Sequence, residues 1–216
     1  QTVRFDEVGP GDTANDEAPV LRIARGLALA ATIREGMPEL HFQQVADLAV
    51  QIAESLGLAD GLVMRCRLGG LLHDVGKLAI PDRILAKRGP LDEEEWAVMR
   101  GHAEIGAQII ARVGGLDAAV DAVRYHHERY DGTGYPGRLA GDAIPIEARI
   151  VAAADAFSAI TSDRTYARGR DQQLALDEIE RSAHTHLDPR VAYAVRHAIE
   201  ARHADDAARL ARYDAA

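Results

Sequence analysis

The chain has 216 residues, 47% of them hydrophobic and 27% charged, and carries a net charge of −9. That composition excludes a disordered chain and gives enough apolar material for one substantial core. The acidity excludes a general nucleic-acid or membrane-surface binder, which needs a basic face, so any phosphate chemistry has to rest on a local positive site.

Residues 1–19 mix acids with Gly, Pro, Asn and Thr without periodicity and read as a flexible linker from a preceding region. From there on, apolar residues recur at helical spacing and alternating runs are scarce, which predicts an all-α domain over 20–216. Helices are predicted over 20–36 and 39–57; the second carries Val45, Leu48, Ala49, Ile52 and Leu56 on one stripe, with Gly57 as its stop. The helix from about Asp60 is apolar over much of its circumference, so it is predicted to be central. In 91–115, Asp92 and Glu95 form a capping box and Gly114 and Gly115 end the element. Asp117 is placed to cap the helix that runs to His126 and His127, and helix resumes at about Pro145 with Asp155 in its middle. Asp188 and Pro189 then open a long polar helix to about Tyr213. The single cysteine, Cys66, has no internal disulfide partner, and no apolar run has the length of a membrane span or the look of a signal peptide, so a reducing cytoplasmic setting is expected.

The chemistry-bearing residues are spread along the chain. "LLHDVGKL" (71–78) sets His73 and Asp74 side by side with Lys77 three positions on. Taken alone it is equally a helix C-terminus, with Gly76 as the residue past the end, Lys77 favourable near the last carbonyls and His73 a core histidine. The other histidines change that balance. His41 lies close to an apolar stripe, His102 projects from the apolar side of its helix, His126 and His127 end a helix, and Asp155 interrupts "IVAAADAFSAI". Five histidines and two acids on inward faces are hard to bury except around cations. Imidazoles and carboxylates without thiolates suit divalent iron, manganese, zinc or nickel, and an adjacent His-Asp pair suits a bridged two-metal centre for phosphoester hydrolysis. His184, His186, His197 and His203 fall in polar surroundings and are expected at the surface.

His41, "HDVGK" (73–77), His102, "HHERYDGTGYPG" (126–137) and the Asp155 segment together resemble the HD-GYP family, a branch of the HD superfamily of metal-dependent phosphohydrolases. The resemblance runs from about 39 to 195 and includes "IPDRIL", "IPIEARIVAAADAF" and "TSDRTY". It implies a helical HD bundle with two or three iron- or manganese-class ions in its core, hydrolysing cyclic di-GMP to pGpG or GMP through a metal-bridging hydroxide. Carried over by position, the metal ligands would be His41, His73, Asp74, His102, His126, His127 and Asp155, with Asp74 bridging. Asp74 and Lys77 would be catalytic, Lys77 meeting a non-bridging phosphate oxygen. Lys77, Gly134, Tyr135, Pro136, Arg164 and Arg168 would bind substrate, and Glu128 would support the histidines or the loop.

The chain departs from the family pattern at several positions. Met37 stands where some members carry a glutamate for a third metal, and Glu35 and Glu39 point in other helical directions, so a two-metal centre is expected. Ala167 replaces a basic residue, with Arg168 beside it as a substitute; Arg138 stands where glycine is common, and Ser158 replaces a frequent aspartate and is expected to be structural. The expected partners are cyclic di-GMP or a related cyclic dinucleotide, a sensor domain beyond this chain, and a second copy through the C-terminal helix, with no DNA. The competing readings are a hydrolase of another cyclic dinucleotide or nucleotide, a cyclic di-GMP sensor without turnover, and a helical scaffold with a polar core.

Overall fold

The computed structural model describes residues 18–35, 41–162 and 171–214, with side chains through Ala204. Nine α-helices and no β-strand occur among the described residues: α1 Pro19–Glu35, α2 His41–Ser55, α3 Asp60–Leu72, α4 Asp82–Leu85, α5 Glu93–Ile110, α6 Val120–Tyr125, α7 Ile146–Thr161, α8 Gln172–Arg181 and α9 Pro189–Asp214. The Asp92–Glu95 capping box is formed, and Gly57, with φ of 67°, follows the end of α2. One expectation and one of the alternative readings fail locally. Asp117 opens a 3-10 turn without a side-chain cap, and Gly76 is no left-handed stop. Gly76 lies in the 3-10 turn Val75–Ala79 because that turn presses on α5, where an added Cβ would sit 1.9 Å from the carbonyl oxygen of His102.

α3 is central. It packs on α1, α2, α6 and α7, and its residues divide between two apolar clusters. Cys66 belongs to a cluster with Ile52, Ile150, Phe157, Leu176 and Val195; Leu68, Leu71 and Leu72 belong to one with Ala24, Ile110, Leu116 and Val123. Burying each of the larger of these side chains stabilises the fold by about 1.5–3 kcal/mol. The neighbours come close to α3 because Gly69 and Gly70 have no side chain: a Cβ on Gly69 would meet Ala122 of α6 at 2.5 Å, and one on Gly70 would meet the backbone of Ala46 of α2 at the same distance. That approach brings together the ends of α2, α3 and α6, where His41, His73 and His126 lie.

The start of α9 is fixed by a buried carboxylate. Asp188, 1% exposed, caps the helix by accepting from the Arg190 amide at 2.8 Å and also takes Arg149 at 2.5 Å. Burial pushes its carboxyl up, but the hydrogen bonds from Arg190 and Arg149 outweigh burial and hold it below the usual carboxylate range. Asp188→Asn keeps the cap and removes the charge, and should lower stability at pH 7 by about 2 kcal/mol in chemical denaturation. A depressed folded value means that the contribution is complete above the unfolded value, near 4, and is lost as pH falls through the folded one. Wild type and variant should therefore converge on acidification; a gap that stayed constant would show that the charge is not responsible.

Candidate metal centre

The seven expected ligands converge. The donor atoms of Asp74, His102, His126 and His127 lie within 4.8 Å of one another, as do those of His41, His73 and Asp155. Asp74 joins the two groups, with Oδ1 3.5 Å from His102 Nε2 and Oδ2 3.2 Å from His73 Nε2. Asp155 Oδ1 stands 3.5 Å from His41 Nε2 and 3.9 Å from His73 Nε2. The imidazoles form a chain of edge contacts, with ring centres 5.9 Å apart for His41 and His73, 5.4 Å for His73 and His126, and 5.0 Å for His102 and His127.

One local device repeats at three of the histidines. His73 Nδ1 meets the carbonyl of Gly70 at 2.9 Å, His102 Nδ1 that of Met99 at 2.7 Å, and His126 Nδ1 that of Val123 at 2.8 Å, each three residues back on its own helix. A carbonyl only accepts, so each Nδ1 carries a proton and each Nε2 is left as the atom that can offer a lone pair to an ion. Those three Nε2 atoms are buried without a hydrogen-bond partner. Buried acceptors in that state are costly unless something else meets them, and a divalent cation does. The residues present therefore fit a metal.

The electrostatics agree. Burial holds His102, His126 and His127 in the neutral form, His127 down to about 3, and the neighbouring imidazoles add to the effect. His73 behaves differently: burial opposes a charge there, but Asp74 and Asp155 outweigh it and raise His73 to about 9. The two aspartates draw positive charge to that nitrogen, and a cation competes with a proton for the same lone pair. Burial also opposes ionisation of Asp74, and Lys77 with His73 reverses that, keeping the carboxylate charged.

Three supporting contacts were not foreseen from sequence. Lys77 Nζ lies 2.8 Å from Asp74 Oδ2 and 2.6 Å from Glu35 Oε1, so Glu35, expected to point elsewhere, lines a small cavity with His41, His73 and Asp74. Ser158, buried on α7, stands 3.1 Å from His41 Nδ1 and sets that ring. Both contacts span long stretches of chain, which no local pattern reveals. Arg100 on α5 reaches the same region, its guanidinium 5.8 Å from the Tyr135 ring.

The loop after His127 is held from beneath. Glu128, 2% exposed, accepts from the Gly137 amide at 2.5 Å and the Leu139 amide at 3.1 Å, which gives the acid of "HHE" the loop rather than the histidines. Tyr135 stacks on His127 with ring centres 4.8 Å apart, and Gly134 passes so close to the His127–Arg129 backbone that no side chain fits. Arg138 has φ of 54°, the left-handed region, which accounts for glycine being common there. Of the remaining histidines, His184, His197 and His203 are exposed, whereas His186 is half-buried and its carbonyl holds the Tyr130 amide at 3.1 Å. Met37, Glu39, Arg164, Ala167 and Arg168 lie outside the described residues.

A helical bundle that gathers five imidazoles and two aspartates into adjoining clusters defines a class of fold able to hold metal ions. The chain belongs to the HD domain family, whose pattern matches residues 25–191, and within it to the HD-GYP branch. It is 40% identical over 171 residues to the cyclic di-GMP phosphodiesterase response regulator RpfG of Xanthomonas campestris pv. campestris, covering 76% of this chain and 44% of the relative. It is 39% identical over 167 residues to 3'3'-cGAMP-specific phosphodiesterase 2 of Vibrio cholerae, covering 76% of this chain and 32% of that protein. The chain thus spans less than half the length of these curated relatives. Among solved structures, a cyclic GMP-AMP-specific phosphodiesterase of V. cholerae superposes with a TM-score of 0.66 at 19% identity, over 82% of this chain and 48% of that one, a likeness of fold. No helix among the described residues is long and apolar enough to cross a membrane.

Proposed function

We propose that the chain is a metal-dependent phosphodiesterase acting on cyclic di-GMP. The observation that carries this reading is the set of three buried Nε2 atoms without a hydrogen bond around an aspartate whose two oxygens face both donor groups, with Lys77 beside it. One divalent ion would be held by His41, His73 and Asp155, the other by His102, His126 and His127, with Asp74 bridging. This division supports two ions; the nitrogen and oxygen donors suit iron, manganese, zinc or nickel alike, and iron or manganese is proposed on the family resemblance. Bound there, such ions supply an acidified water and positive charge for a phosphodiester.

The chain's own groups do the rest. Lys77, kept charged by Asp74 and Glu35 against the opposing effect of burial, exchanges Glu35 for a non-bridging phosphate oxygen and meets the charge that grows on it as the ribose 3′-oxygen leaves. Tyr135, stacked on His127, is a wall on which a guanine packs, and Gly134 and Pro136 set its height. Arg164 and Arg168 are proposed as further phosphate contacts on the family resemblance. A regulatory region beyond this chain is supported by the greater length of the relatives, and self-association through α9 by its exposed Tyr193.

The test uses protein purified anaerobically, with its metals measured, and incubated with cyclic di-GMP and, separately, 3'3'-cGAMP. Metal-dependent formation of pGpG or GMP is the expected result, and product from 3'3'-cGAMP alone would move the substrate to the other dinucleotide that the relatives name. Tight binding of cyclic di-GMP with no product over hours would replace the enzyme by a sensor module.

A further inference from the structure

A cleft of about 450 Å³ lies against the GYP loop, lined by the loop from Gly132 to Pro136 and by Arg100 and Arg138. Neither arginine is needed by the chemistry above. Most arginines that help hold the fold are paired with acids, as Arg34, Arg65, Arg129, Arg149 and Arg196 show. Arg100 and Arg138 have no acidic partner among the described residues, although the chain carries nine net negative charges.

Arg100 is held instead by aromatic rings. Its guanidinium lies 5.8 Å from the Tyr135 ring and 5.9 Å from that of Trp96, one turn earlier on α5 and 46% exposed. Tyr135 also stacks on His127, so the ring that Arg100 approaches is itself in contact with the metal-binding cluster. Arg138 adds an independent observation: it keeps a long cationic side chain at a left-handed position where glycine would be unstrained. Backbone strain retained beside a site is the kind that a ligand contact offsets.

A cyclic dinucleotide has two phosphodiesters, and only one can be attacked at a time. We propose that this cleft is the subsite for the second phosphodiester, the one not being cleaved, with Arg100 and Arg138 donating to its non-bridging oxygens. Two guanidinium groups without counter-ions match an anion better than a neutral base, because arginine forks onto phosphate oxygens in a fixed geometry. The inference rests on the reading of the chain as a cyclic dinucleotide hydrolase. It makes the cleft the feature by which the protein distinguishes a cyclic dinucleotide from an ordinary diester.

The experiment compares cyclic di-GMP with bis(p-nitrophenyl) phosphate, which has one phosphate, on the full chain loaded with manganese. Arg100→Gln and Arg138→Gln should each lower the selectivity for cyclic di-GMP about tenfold, and the pair about a hundredfold, with the change mainly in KM. Arg138→Gly should lose the same selectivity while raising Tm, since it removes the guanidinium and the strain together. Unchanged selectivity in the double variant overturns the subsite. Failure of wild type to hydrolyse cyclic di-GMP is a separate result that overturns the proposed activity. In that case calorimetric binding of cyclic di-GMP decides the subsite: weaker binding by the double variant supports it, and equal or absent binding by both proteins overturns it.

Discussion

Asp74→Ala should strip the protein of its bound divalent ions and lower cyclic di-GMP turnover by about 10,000-fold or more, as expected when members of one catalytic unit are removed. The reason is geometric. Asp74 alone presents one oxygen to the His102 group and the other to His73, so its loss weakens both positions and leaves the imidazoles as neutral donors with a single aspartate between them. It also removes one of the two carboxylates that Lys77 meets, leaving its charge offset by Glu35 alone of that pair beside the place where ions should sit. Metal content per chain, measured after purification and again after manganese is added, reads the first effect; product chromatography reads the second. Full metal content in the variant would exclude the bridging role of Asp74, and full activity would exclude the centre itself.

Lys77→Ala is the counterpart, and its two readouts separate. Lys77 touches Asp74 and Glu35 and none of the imidazoles directly, so its removal leaves the donor set intact and makes the surroundings more negative. Metal content should be kept. The rate should fall about 100- to 1,000-fold, the size of effect seen when a single preorganised group facing the developing charge is deleted. Most of the loss should lie in kcat, because the contact strengthens as charge grows on phosphate. A variant that lost metal and rate together would show that Lys77 organises the centre rather than serving the phosphate.

The donor residues were legible in the sequence because each is a polar side chain on an otherwise apolar helical face, and such exceptions are informative. The all-α fold was legible for a related reason, the long periodic runs in α2, α5 and α7. α8 was not: it has ten residues and buries only Ala175, Leu176 and Ile179, too short a stripe to stand out among polar neighbours. Gly76 stayed ambiguous because a glycine that removes a Cβ from a tight contact looks, in sequence, like one that ends a helix. Glu35 was beyond reach because its direction depends on how α1 meets the turn carrying Lys77, 42 residues away. Arg138 stood out as a departure, but only its backbone angle gives the reason why glycine is the usual choice.

The hydrogen bonds from Nδ1 to carbonyls three residues back have a thermodynamic consequence. Each ring is locked by the turn of helix just before it, so the entropy of orienting these donors is lost when the protein folds and not when an ion arrives. Affinity for the ions is then undiminished by ordering, and the carbonyls of Gly70 and Val123, near the ends of their helices, gain N–H donors. Stripping the ions with a chelator should accordingly leave a folded protein able to take them up again, unlike small domains whose structure exists only around their metal.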